Sequence, residues 1–347
     1  MKIIKIEIPS LFGKQMKILI SLIIILISSQ MIFMSPINGS KCKALAFEGG
    51  GTKGIYQVGA LEAFYEFLSP DDYQYDFVSG VSVGSLHTLA YMLVKKGNES
   101  FLLDYLKEKY EKLKAKDMFQ NWPGGIIAGI LFHSGLVDNT PLIEDLLVKS
   151  KDELYTGNIY RRGGMSATDA NEDVETPFSD EINISSMIPI AKNSFSIPGA
   201  FEYSVYNDHI YIDGGCLYNV DYLTPISYCK EMGFEDKDII IDVMATNPFN
   251  STFKDMRNAS SIEMFNRARD FSNREAYYYY YHDTRYFYKD INYRYSVIPK
   301  TSIDLNILWA FPLSTDKKKM EKARQDGYND AKEEIQKSRM KLKFEKN

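Results

Sequence analysis

Apolar positions along this chain alternate between two rhythms. The stretch "KALAF" (43–47) is a short unbroken apolar run of the kind that forms a buried strand. Next, "IYQVGALEAFYEFL" (55–68) places Ile55, Val58, Leu61, Ala63, Phe64 and Phe67 near the 3.6-residue period, which predicts a helix. Pro70, Asp71 and Asp72 break it. The rhythm then repeats. "YDFVSG" (75–80) reads as a strand, "SLHTLAYMLVKKG" (85–97) as a helix stopped by Gly97, and "FLLDYLKEKYEKLKAKDMF" (101–119) as a more polar helix. "GGMSATDA" (163–170) is another strand and "INISSMIPIAKNSFSIPGAF" (182–201) a helix-rich segment. "YSVYNDHIYIDGG" (203–215) carries a hairpin signal at Asn207-Asp208, and "DIIIDVMAT" (238–246) is a buried strand. Such alternation predicts an α/β fold, a mainly parallel central sheet with helices on both faces.

Three segments depart from this rhythm. In "NWPGGIIAGILFHSGLVDNT" (121–140), Gly124, Gly125, Gly129 and Gly135 surround an apolar centre. A core segment flanked by loops is the plainer reading; a mobile apolar flap over a lipid pocket is the functional one. The tyrosine run 277–281 cannot keep one face on a helix, and as a strand it would put rings on both faces, so local packing is expected. The charge-dense tail from Lys317, with Met320, Ala323, Ala331 and Ile335 near helical spacing, predicts a terminal helix laid on the core.

The N-terminus changes the picture of destination. Lys2, Lys5, Lys14 and Lys17 precede an apolar run at 18–34, followed by Pro36, Gly39 and Ser40. Residues 1–40 therefore read as a signal peptide, or as an uncleaved membrane anchor through 18–34. The expected location is the secretory pathway, secreted or lumenal, with membrane anchoring as the alternative. Sequons at Asn98, Asn183, Asn250 and Asn258 agree with that route. The 347-residue chain carries a formal charge of −5, with no basic excess to hold nucleic acid. An acidic chain would meet a lipid surface through apolar contact instead. Cys42, Cys216 and Cys229 are too few for a disulfide scaffold and fit no zinc spacing, so at most one bridge forms. No metal site and no cofactor is expected.

Candidate chemistry lies in three motifs. Gly49-x-Gly51-x-x-Gly54 links the first strand to the first helix, and Gly49, Gly50 and Gly51 form a costly triplet. A dinucleotide site would want an acid after the second strand, but Asp71 and Asp72 precede it. A phosphate-binding loop would want Ser or Thr after Lys53, where Gly54 stands. The second motif, Gly80-Val81-Ser82-Val83-Gly84, sits between strand and helix, the context of a nucleophile elbow. The third, Asp213-Gly214-Gly215, ends a strand; alone it is no more than a β-turn.

A serine nucleophile needs a base. His87, His133, His209 and His282 lack the expected motif context, and structural roles suit them better. Asp213 fits as the direct proton acceptor of Ser82, with burial raising its basicity. Backbone N–H groups of Gly50 and Gly51 could then receive the developing oxyanion. Lys53 adds positive charge nearby or pairs with Glu48.

With "EGGGTKG" (48–54), "GVSVG" (80–84) and "DGG" (213–215), the sequence resembles the patatin-like phospholipase family. "GMSATDA" and "NSFSIPGAF" (193–201) extend the likeness, from about Ala44 to about Pro248. The resemblance implies a three-layer α/β/α sandwich, a core at 44–248 and a C-terminal extension at 249–347 ending in the charged helix. It also implies a Ser82–Asp213 dyad, an oxyanion hole from Gly49, Gly50 and Gly51, and hydrolysis of fatty-acyl esters without calcium. Lys53, Gly54, Gly80, Gly84, Gly214 and Gly215 would support the site. Membrane lipids or lipid aggregates would be the substrate. Acyl transfer at the same site and lipid binding without catalysis are the alternatives. Glu48 departs from the commoner Asp, and Lys53 from the frequent Arg.

Overall fold

The computed structural model describes residues 40–249, 255–307 and 311–344; the apolar run 18–34, its flanking lysines and the sequon at Asn250 lie outside them. In chain order the structure begins β1 (Cys42–Phe47), α1 (Gly54–Phe67), α2 (Pro70–Tyr73), β2 (Phe77–Val81), α3 (Val83–Leu93) and α4 (Glu99–Lys112). It continues α5 (Gly125–Phe132), α6 (Lys149–Leu154), β3 (Arg162–Asp169), β4 (Val174–Phe178), α7 (Met187–Phe195), β5 (Ser204–Tyr206) and β6 (His209–Asp213). It ends α8 (Leu223–Glu231), β7 (Ile239–Met244), α9 (Ser261–Phe287), β8 (Asn292–Val297) and α10 (Lys317–Phe344). A π-helical stretch, Leu142–Val148, leads into α6.

All eight strands join one sheet, ordered β5-β6-β3-β2-β1-β7-β8, with β4 paired to β3. From β3 through β8 the pairings are parallel; those of β3 with β4 and β6, and of β5 with β6, are antiparallel. Alternation along β1 feeds two cores. Leu45 and Phe47 join the cluster containing α1, α3 and α10, while Ala44 and Ala46 join Ile226, Ile241 and Tyr281 on the other face. The expected α/β/α layering with a mainly parallel sheet is present. Its parallel strands are buried on both faces, which is why they read as continuous apolar runs.

Local chemistry explains the joints. Asn207 and Asp208 both take positive φ (49° and 65°), the left-handed pair that closes a two-residue hairpin between β5 and β6. Pro70 starts the short helix α2 in the predicted break, because its missing N–H is harmless in the first turn. The last helix packs on α1: Arg324 pairs with Glu62, and the Tyr56 hydroxyl donates to Asp330 at 3.0 Å.

One expectation holds and one is corrected. The tyrosine run packs locally, inside the helix α9, which Ser260 and Glu263 cap at its start. Five residues wrap more than one turn, so only Tyr277, Tyr280 and Tyr281 turn toward the sheet, while Tyr278 and Tyr279 stay exposed. The segment 121–140 is not a core segment. Its centre is α5, whose Ile127, Ile130, Leu131 and Phe132 are 70%, 65%, 65% and 79% exposed. Only Gly129 of this helix is buried, against the Leu136 carbonyl.

Cys42 and Cys229 form a disulfide across 187 residues, tying the first residue of β1 to α8; Cys216 stays outside the bridge. Closing so long a loop restricts the unfolded chain, so Cys42→Ser is expected to lower stability by about 2–4 kcal/mol. Denaturant unfolding of wild type with and without reductant checks this. The reduced wild type should match the variant.

Candidate active site

The site assembles at the carboxyl ends of β1, β2 and β7. β2 runs straight into α3 through Ser82, which holds φ 54° and ψ −120°, a conformation that non-glycine residues rarely adopt. Such strain costs on the order of 1–3 kcal/mol and persists only where the surroundings enforce it. Here they do. The Ser82 N–H donates to Ser194 Oγ (2.9 Å), and the Ser194 hydroxyl donates to the Ser166 carbonyl on β3 (2.6 Å). Ser85 donates from its side chain to the Ser82 carbonyl. The bend brings Gly80 so close to the Gly84 carbonyl that any side chain at Gly80 would collide with it. The elbow thus needs glycine for a steric reason that the sequence pattern encodes.

The glycine triplet lies against this elbow: a Cβ on Gly49 would stand 3.0 Å from Ser82 Cβ. Gly51 takes φ 55°, and the next amide, Thr52, donates to the Pro312 carbonyl at 2.7 Å. The Gly49 amide donates to the Asn219 carbonyl at 3.0 Å. Among the described residues no acceptor takes the N–H groups of Gly50 and Gly51. Two amides beside a strained serine therefore remain available to an anion.

Glu48 fixes the loop from behind. Its buried carboxylate accepts from the Thr246 and Asn247 amides, from Asn247 Nδ2 at 2.8 Å and from Asn219 Nδ2 at 2.7 Å. Burial pushes its pKa up, against the lowering effect of these bonds. Lys53 donates to Asn247 Oδ1 at 2.9 Å and so reaches Glu48 through Asn247. Asn219, Thr246, Asn247 and the Pro312 carbonyl belong to no motif singled out in the sequence, and Ser194 lies in the "NSFSIPGAF" segment without having been assigned a role there. The one available signal was a pair of polar residues, Thr246-Asn247, closing the apolar run of β7.

Asp213 ends β6, where it pairs with Ala167 of β3. The fold brings it beside Ser82, near enough for the serine side chain to lower the carboxyl's pKa, and the Gly215 amide donates to its Oδ1 at 2.8 Å. Both residues are almost wholly buried, Ser82 4% and Asp213 7% exposed. Burial pushes the Asp213 carboxyl up to about 6, Ser82 and the Gly215 amide working in the opposite direction. Gly214 presses on the Ser166 carbonyl, and Gly215 faces Asn219, so the Asp-Gly-Gly turn is wedged between β3 and the glycine loop.

None of the four histidines bonds Ser82. His133 stacks on Trp122, His209 binds Asp169 at 2.6 Å, and His282 lies against Tyr278. His87 is buried beside the site, bonded through Nε2 to the Tyr110 hydroxyl at 3.0 Å, with its pKa pushed down to about 3 by burial. It is a neutral ring in an apolar wall. That wall belongs to a cavity of about 110 Å³ on which Ser82 and Gly51 open; Leu86, Leu106, Leu147, Phe195 and Phe201 supply much of the rest. Among the described residues no group of three or more His, Cys, Asp or Glu could hold a metal ion.

Comparison with known proteins finds a family model that matches the sequence. The patatin-like phospholipase family model matches residues 45–226, just over half of the chain. Calcium-independent phospholipase A2-gamma of Rattus norvegicus is 33% identical over 90 residues, 26% of this chain and 11% of the relative. The same-named Mus musculus protein is 30% identical over 109 residues, 31% of this chain and 13% of the relative. The chain thus spans only about a ninth to an eighth of these relatives' length. Among solved structures, VipD from Legionella pneumophila superposes with a TM-score of 0.42 at 13% identity, covering 86% of this chain and 67% of VipD. The ExoU–SpcU complex of Pseudomonas aeruginosa gives 0.34 at 11% identity, covering 86% and 52%.

The Asp213 environment has two measurable consequences. The rate at which a fluorophosphonate probe labels Ser82 should fall as pH drops through about 6, because protonation removes the acceptor. The folded pKa lies above the unfolded value of 3.8, so the buried carboxylate costs stability once pH rises past that window. Asp213→Asn should therefore abolish labelling yet gain about 1–3 kcal/mol at pH 8. Probe kinetics and thermal unfolding over pH 4–9 check both signs.

Proposed function

The chain belongs to the patatin-like phospholipase family, and from that premise we propose that it is a lipid acyl hydrolase using a Ser82–Asp213 dyad. The observation that carries this reading is the placing of a strained serine, which opens on an apolar cavity, beside a buried carboxylate whose pKa burial raises. Ser82 Oγ attacks the carbonyl carbon of a glycerolipid ester as its proton passes to Asp213. The carbonyl oxygen becomes anionic between the Gly50 and Gly51 amides. Each such donor contributes on the order of 3 kcal/mol to the transition state. The tetrahedral centre collapses, the ester C–O bond breaks, and Asp213 returns the proton to the leaving alcohol. Water then attacks the acyl-serine with Asp213 again as base, releasing the fatty acid and restoring the serine.

Substrate class follows from the walls. The cavity is lined mainly by leucine and phenylalanine side chains, which suits an acyl chain and offers little to a headgroup. A phospholipid ester is the best-supported substrate, and the scheme needs no calcium, in keeping with the name of the mammalian relatives. Narrowing the cavity tests the acyl assignment. Ala90 lines it, so Ala90→Phe should shift preference toward shorter acyl chains while Ser82 labelling persists.

The reaction itself is tested on phosphatidylcholine mixed micelles. Ser82→Ala should lose fatty-acid release by about 10³-fold or more. A chelator should leave wild-type turnover unchanged. Full activity in Ser82→Ala would refute the proposal.

A further inference from the structure

The most exposed apolar feature of the described chain is α5. Its Ile127, Ile130 and Leu131 form one stripe at i, i+3 and i+4, with Phe132 beside them. No charged residue occurs from Asn121 to His133. The helix is held firmly at its base. Trp122 stacks on His133 with ring centroids 3.7 Å apart and planes 4° from parallel, and its indole N–H donates to the Gly135 carbonyl at 3.0 Å. Gln120 and Asp138 exchange backbone bonds at 2.9 and 3.0 Å. This is a protrusion braced at its base.

Its position relative to the cavity is fixed by the strand-like return. The Leu136 amide donates to Gly199 and the Val137 amide to Ala200, each at 3.1 Å. Ile197 and Phe201, on either side of those two residues, line the cavity that Ser82 opens on. His133 also binds Glu202 at 3.1 Å, and Tyr203 and Val205 just beyond are exposed. The stripe therefore projects from the rim of the cavity.

Size and charge select what covers it. Four aliphatic or aromatic side chains at these exposures present roughly 500 Å² of apolar surface, enough to mark an interaction site. A stable protein partner would want about 800 Å² per side with specific polar contacts at its rim. An eight-residue helix is about 12 Å long, far short of spanning a bilayer but matched to lying within its interface. Trp122 at the base has the amphipathic character that favours headgroup depth.

We propose that α5 docks the enzyme on a lipid surface, its stripe entering the outer acyl region so that the cavity mouth faces the lipid. This rests on the lipid hydrolase reading above and adds the element that brings enzyme to substrate. The acidic chain gains this contact through apolar insertion and not through charge.

The full chain carrying Phe132→Trp, titrated with phosphatidylcholine vesicles brominated along the acyl chains, supplies a probe local to α5. The added indole emission should be quenched and blue-shifted; adding Ile127→Asp with Ile130→Asp should abolish both changes. That double variant should hydrolyse vesicular phosphatidylcholine on the order of ten-fold more slowly or worse, because carboxylates are costly in the acyl region. Its turnover of a monomeric short-chain ester should match wild type. An unquenched indole, or unchanged vesicle turnover in the double variant, overturns the proposal. So does a wild-type dimer that the double variant converts to monomer, which would make a second copy the occupant. Quenching is repeated in Ser82→Ala, where no turnover is needed. A chain that inserts but never cleaves ester sinks the hydrolase reading alone; one that cleaves monomeric ester without inserting sinks the docking alone.

Discussion

The buried carboxylate of Glu48 is the constraint on which the site depends. It leaves β1 at the point where the glycine loop begins and collects N–H donors from two other segments, the end of β7 and Asn219. A carboxylate away from water is tolerated only when such bonds surround it. Because its partners sit on different loops, those loops cannot move independently. The glycine amides, the Asp-Gly-Gly turn and the wall of β7 are thereby held in one arrangement before any substrate arrives. Preorganisation of this kind is what gives amide dipoles their value toward a developing anion.

The site is assembled at a cost the rest of the fold has to carry. Ser82 sits in an unfavourable backbone region, Asp213 holds its charge out of water, and Glu48 does the same nearby. Against this stand two apolar cores, one on each face of the sheet, and the disulfide at the foot of β1. The polar groups of the site gather at the carboxyl ends of the strands. Asp213 comes from β6, antiparallel to β3, so the hairpin that carries it is separate from the parallel strands that lead to Ser82 and the glycine loop.

Those features whose requirement is local were legible in the sequence. Gly80 and Gly84 read as an elbow because the bend excludes side chains there, whatever lies elsewhere. Asn207-Asp208 read as a hairpin because few residues accept left-handed φ. The apolar runs of β1, β2 and β7 read as strands because both their faces are buried. What stayed hidden depends on tertiary meeting. Asn219 and Asn247 are ordinary polar residues until the fold sets them around Glu48, and the "NSFSIPGAF" segment gives no role to Ser194 until its hydroxyl meets Ser82. The tyrosine run read only as local packing, because contiguous rings obscure the period by which 277, 280 and 281 face inward. In α5 the apolar composition pointed to the core, and no composition rule distinguishes a buried apolar helix from a displayed one.

The direction of β1 sets how this molecule can be held. The strand rises from Cys42 at one pole of the sheet to Glu48 at the other, where all the reactive groups gather. The one disulfide among the described residues thus fastens the pole away from Ser82, while the strand ends around the glycine loop are tied by hydrogen bonds.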